Sequence, residues 1–105
     1  MKESSRKWLE EQMAGMDASV IDEIYAEYSR TAPALYAELE EKRAAGEAFA
    51  VLDRIAHTLK GNAAMVGDTA LFEVVQKWRE TMAKGDQAAA DEIWLAIGPE
   101  VRAIS

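Results

Sequence analysis

Four glycines, Gly15, Gly46, Gly67 and Gly85, punctuate this chain, and between them apolar residues recur every three or four positions. That period belongs to amphipathic helices, and a glycine just past the last periodic residue suits the left-handed end of a helix. The first helix is expected to start near Ser4 or Ser5, either able to cap it, and to carry Trp8, Leu9 and Met13 up to Gly15. Ser19, with Asp22 three residues on, resembles a capping box for a second helix whose stripe is Ile21, Ile24, Tyr28, Leu35 and Leu39. Pro33 removes one backbone donor inside it, which predicts a kink near Ser29–Pro33 rather than two helices. Gly46 closes it. The third helix is expected from about Glu47 to Met65, ending at Gly67. Asp68 or Thr69 can cap a fourth with the stripe Leu71, Val75, Trp78 and Met82, flanked by Phe72. Asp86 caps a fifth that turns Ala89, Ile93, Trp94 and Ile97 inward, and Gly98-Pro99 predicts a break or bend before Val101 and Ile104.

The connections are short, so successive helices should be antiparallel neighbours. The expected fold is all-α: an antiparallel four-helix bundle over residues 19–105, with a short N-terminal helix within residues 1–16 covering one end. A chain of 105 residues, half of them apolar, supports one domain with one core. Trp8, Trp78 and Trp94 read as packing residues.

Composition narrows the function. A net charge of −7 opposes nucleic-acid phosphates. No run approaches the roughly 18 consecutive apolar residues of a membrane span, and the polar N-terminus lacks an apolar signal core, so a cytoplasmic location is expected. With no cysteine and one histidine, a metal centre would depend on carboxylates, of which only Asp53 lies one turn from His57.

That histidine is placed unusually. At roughly 100° per residue, Leu52, Ile55, Ala56, Leu59, Ala63 and Val66 gather on one side of the third helix. His57 lies almost opposite, with Ala50, Asp53, Arg54, Lys60, Gly61 and Ala64 around it. Gly61, one turn on, costs about 1 kcal/mol against alanine and leaves a notch beside the ring. Lys60 has no carboxylate at its helical neighbour spacings. An accessible imidazole, an uncompensated ammonium and a cleared approach suit a nucleophile that meets a bulky anionic reactant. A free imidazole, with an ordinary pKa of about 6.5, is largely neutral near neutral pH and keeps one ring lone pair available.

The stretch His57-Thr58-Leu59-Lys60-Gly61-Asn62-Ala63, followed by Gly67, resembles the phosphorylation motif of histidine-containing phosphotransfer (HPt) domains. From Val20 to Ser105 the order of elements is similar too: long helix with an internal proline, Ala-Gly break, motif helix, glycine, helix, Gly-Asp turn, final helix. The resemblance implies a phosphoryl carrier of two-component phosphorelays, not an enzyme turning over alone. His57 would be the phosphoacceptor and Lys60 would stabilise phosphoryl charge. Gly61, Ala64, Arg54 and Asn62 would face the partner. Asp53 would either orient the imidazole or remain an ordinary exposed acid. Arg79 falls where some members carry a polar residue supporting the histidine. The implied partners are response-regulator receiver domains and a hybrid histidine kinase, with no cofactor of the chain's own and magnesium held by the receiver. A free-standing monomer is expected.

The sequence departs from the family at Asn62, where a serine is frequent, and at Met65, often a polar position. Two alternatives share the fold: an adaptor that docks on a receiver or kinase with His57 only a contact, and a phosphoacceptor module of a chemotaxis-type kinase. An independent hydrolase lacks a paired base, oxyanion loop or metal cluster around His57.

Overall fold

A computed structural model describes all residues, Met1–Ser105, as five helices without strands. They are α1 (Glu3–Gln12), α2 (Ala18–Ala44), α3 (Phe49–Met65), α4 (Thr69–Ala83) and α5 (Gln87–Arg102). Helices α2 to α5 form an antiparallel four-helix bundle: α3 packs on α2 and on α4, α4 on α5, and α5 returns to α2. The molecule measures 45 × 20 × 19 Å, its long axis set by the 27-residue α2. No helix is long and apolar enough to cross a membrane.

Gly15, Gly46, Gly67 and Gly85 all have positive φ, as helix-ending glycines should. Asp68 and Asp86 cap α4 and α5, accepting from the backbone N–H of Leu71 and Ala89 at 3.2 Å each. Three expectations at helix ends need correction. Helix α2 starts at Ala18 after Asp17, so Ser19 lies inside the first turn and caps nothing. Helix α1 starts at Glu3, and Ser5 is fully buried within it rather than capping it. Gly98-Pro99 does not break α5, which continues to Arg102. Proline lacks only the N–H that would reach Leu95, and Leu95 is highly exposed, so water can satisfy its carbonyl.

The core is continuous from end to end. The α3 stripe of Leu52, Ile55, Ala56, Leu59, Ala63 and Val66 is entirely buried, against Leu39 of α2, Leu71, Val75 and Trp78 of α4, and Ile97 of α5. Trp78 is fully buried, with its ring 5.5 Å from that of Trp94. Trp94 in turn stacks on Tyr36 at 5.4 Å and lies under the guanidinium of Arg43.

Helix α1 is bound to one end of this bundle by a polar network. Asp68 is fully buried, and a carboxylate in that position needs both charge and hydrogen-bond partners. Lys2 Nζ spans its two oxygens at 3.0 and 2.9 Å, and the Tyr28 hydroxyl donates to it at 2.6 Å. Lys2 also pairs with Glu100 at 3.1 Å, while its backbone N–H donates to Tyr25, whose hydroxyl donates to the carbonyl of Ile104. Trp8 packs against Gly67 in the α3–α4 turn. A Cβ on Gly67 would stand 2.3 Å from Trp8 Cβ, so both the positive φ and the close approach demand glycine there.

Burial, joined by the hydrogen bond to the Asp68 carboxylate, pushes the Tyr28 hydroxyl far above the usual tyrosine range. Burial raises Tyr25 as well. A group whose pKa is raised by folding contributes stability that is complete below the unfolded value of 10.0 and is lost as pH climbs beyond it. Thermal melts between about pH 8 and 11 should therefore show Tm falling steeply above about pH 10. Tyr28→Phe should start lower and show a flatter alkaline limb.

Candidate functional site

The site sits on the outer face of α3, midway along the bundle. His57 is exposed, on the opposite side of the helix from the buried stripe. Its ring makes no hydrogen bond or ion pair. Lys60 also pairs with no carboxylate. It is half-buried, with its ammonium 5.5 Å from the centre of the Phe72 ring on α4, which restrains a long side chain without neutralising it. Phe72 was visible in the sequence only as a flank of the α4 stripe; its place beneath Lys60 is a tertiary fact.

Gly61 is helical, and a Cβ there would meet nothing within 4 Å. The notch beside His57 is therefore open space and not a close helix contact. Ala64, one turn further, is exposed, and so is Arg54, whose guanidinium makes no ion pair. His57, Lys60, Gly61, Ala64 and Arg54 thus share one accessible surface.

Two residues behave otherwise. Asn62 points across to α2 and donates to Thr31 Oγ1 at 3.4 Å, away from the imidazole. Asp53 does not hydrogen-bond His57. Its carboxylate is held by Arg79 of α4, Nε to Oδ1 at 2.7 Å and Nη2 to Oδ2 at 3.3 Å. Arg79 is itself braced by Gln76 Oε1 at 3.2 Å, a residue the sequence did not single out. Arg79 thus reaches the α3 surface through Asp53 and not through the histidine. Its hydrogen bond holds the Asp53 carboxyl below the usual carboxylate range, with partial burial opposing and the charges of Arg79, His57 and Lys60 adding to the lowering.

Beside the site, a groove of ≈ 460 Å³ runs between the start of α2 and the end of α3. Its walls include Val20, Ile24 and Val66, with Met65, 72% exposed, at its lip. Glu23 and Glu27 rim it. No three His, Cys, Asp or Glu side chains converge closely enough anywhere to hold a metal ion.

An outward imidazole thus stands on the second of four bundle helices, followed by a lysine without an acidic partner and a helical glycine. The model of one family, the Hpt domain, matches residues 23–104, which takes in α3 whole and all of the bundle except the first turns of α2. The chain belongs to the Hpt domain family. Hpt domains are helical phosphocarrier modules of two-component signalling, acting through receiver domains and kinases of phosphorelays. Neither a search of curated proteins nor one of solved structures finds a significant match. The Hpt match begins inside α2, so α1 and the Lys2 and Trp8 contacts that fasten it lie outside the family pattern.

Proposed function

We propose that this Hpt domain is a histidine phosphotransfer protein of the cytoplasm, relaying a phosphoryl group between receiver-domain aspartates through His57. The observation that carries the reading is the exposed, unpartnered imidazole between an uncompensated ammonium and an open glycine. The ring nitrogen that bears the lone pair attacks phosphorus in line. The P–O bond to the donor aspartate breaks, its electron pair returns to the carboxylate, and the second ring nitrogen keeps its proton. Charge in such a transition state lies on the equatorial oxygens, and positioning with electrostatic stabilisation supplies most of the acceleration. Lys60 is the cation within reach of those oxygens. Magnesium belongs to the receiver, and this chain needs no cofactor of its own.

The receiver would rest over Gly61, Ala64 and Arg54 and extend towards the apolar groove at Met65. Incubation with a receiver charged by acetyl phosphate tests the reading. The expected product is an acid-labile, base-stable label on this chain, and absence of label from several charged receivers would argue against it.

Gly61 offers a second test because its two roles separate. Gly61→Ala should stabilise the protein by about 0.5–1 kcal/mol, since the helix gains propensity and the new methyl meets nothing. Gly61→Phe should leave the melt close to wild type yet slow transfer from the receiver on the order of a hundredfold, because a displacement of about 1 Å already costs that much. Unchanged transfer in the phenylalanine variant would remove the access role.

A further inference from the structure

The Asp53–Arg79 pair does something a surface ion pair does not ordinarily do. Asp53 precedes His57 by four residues, which on a helix puts their Cβ atoms about 6 Å apart on one face. A free carboxylate at that spacing is a natural acceptor for an imidazole N–H, and such bonds fix which ring nitrogen carries the proton. Here each carboxylate oxygen already accepts a hydrogen bond from Arg79, at 2.7 and 3.3 Å, and the guanidinium offsets its charge. Arg79 is only 18% exposed and Asp53 32%, so the pair is partly shielded from water. Gln76 braces the guanidinium from the same helix, and is itself held by a bond to Glu80 at 2.9 Å.

Position gives this contact its consequence. Asp53 lies one turn before His57 and Gly61 one turn after it. An imidazole bonded back to Asp53 would lean towards the start of α3, away from the notch and from Lys60. We propose that Arg79 is a positioning residue that occupies the Asp53 carboxylate, so that the His57 ring stays free to stand at the Gly61 notch and no uncancelled negative charge faces the incoming phosphoryl group. The second half of that statement rests on the phosphotransfer reading; the first does not.

The other charges around the ring do not substitute for this pair. On α3 these are Arg54 and Lys60, both cations without ion-pair partners. On α4, Glu80 is engaged with Gln76. On α2 the helical register places Glu27 and Glu38 towards α3; Glu27 is bound by Arg30, and Glu38 makes no ion pair with His57. Asp53 is the acid on the histidine's own face, and its state decides whether the ring has an internal acceptor.

Because His57 is the only histidine, nitrogen-15 NMR of the imidazole reads the effect without assignment. The wild-type ring should show both tautomers in exchange. Arg79→Gln frees Asp53, and the signals should move to a single tautomer; Asp53→Asn combined with Arg79→Gln should restore the mixture. Arg79→Lys keeps a cation on Asp53 and should stay near wild type, which also serves if the glutamine variant folds poorly. Phosphoryl uptake from a charged receiver should fall on the order of tenfold in Arg79→Gln and recover in the double variant. A ring signature unchanged by Arg79→Gln, or a double variant that matches Arg79→Gln, would overturn the proposal. If wild-type protein takes no label, the relay reading fails, while the NMR comparison still decides whether Arg79 controls Asp53.

Discussion

His57→Gln should abolish phosphoryl uptake while leaving the fold intact. Glutamine keeps a polar side chain of similar reach but offers no nucleophilic nitrogen with a free lone pair at neutral pH. The stability cost should stay within about 0.5 kcal/mol, the usual range for an exposed substitution that touches no packed group. That expectation follows from the geometry: the ring is exposed and bonds to nothing, so removing it strands no partner. Circular dichroism melts beside a label-transfer assay would show the separation. Label retained by the variant would move the phosphoacceptor elsewhere. Signalling fully rescued in cells by His57→Ala would favour an adaptor in which the histidine is only a contact.

Asp68→Ala should have the opposite profile, a large loss of stability at a residue remote from the chemistry. It removes the α4 cap, worth about 1 kcal/mol. It also leaves the Lys2 ammonium, 10% exposed, without its buried partner and the Tyr28 hydroxyl without its acceptor. Breaking one side of a buried ion pair costs about 3–5 kcal/mol. Together these predict a destabilisation of about 4 kcal/mol, read as a fall in Tm on the order of 20 °C. Asp68→Asn keeps the shape and a cap acceptor and should lose less. A loss below about 1 kcal/mol in Asp68→Ala would show that α1 is not fastened through this carboxylate.

These two residues also mark what the sequence could and could not tell. The outward placement of His57 was legible because a helix converts spacing directly into direction, and the six stripe residues opposite it are all buried. The glycine helix ends were legible for a similar reason, since only one residue type adopts that backbone freely. Asp68 was readable as a cap, but its larger role was not, because Lys2 and Tyr28 are 66 and 40 residues away and no local pattern brings them together. Asp53 and Arg79, separated by 26 residues on different helices, failed in the same way: Asp53 could be placed on the histidine's face and Arg79 only by resemblance, and neither showed that it would bind the other. Ser19 misled because a capping pattern two residues late looks identical to a correct one until the chain entering the helix is known. Pro99 misled because the cost of a missing donor depends on whether water reaches the orphaned carbonyl, which is a property of the folded surface.

The central claim is that His57 receives the phosphoryl group. The most direct measurement is peptide mapping of the labelled wild-type protein by mass spectrometry under alkaline conditions, where phosphohistidine survives. The account predicts one phosphoryl group, carried by the peptide that contains His57 and lost on brief acid treatment. A phosphoryl group that survives acid, or that maps to any other peptide, would contradict it.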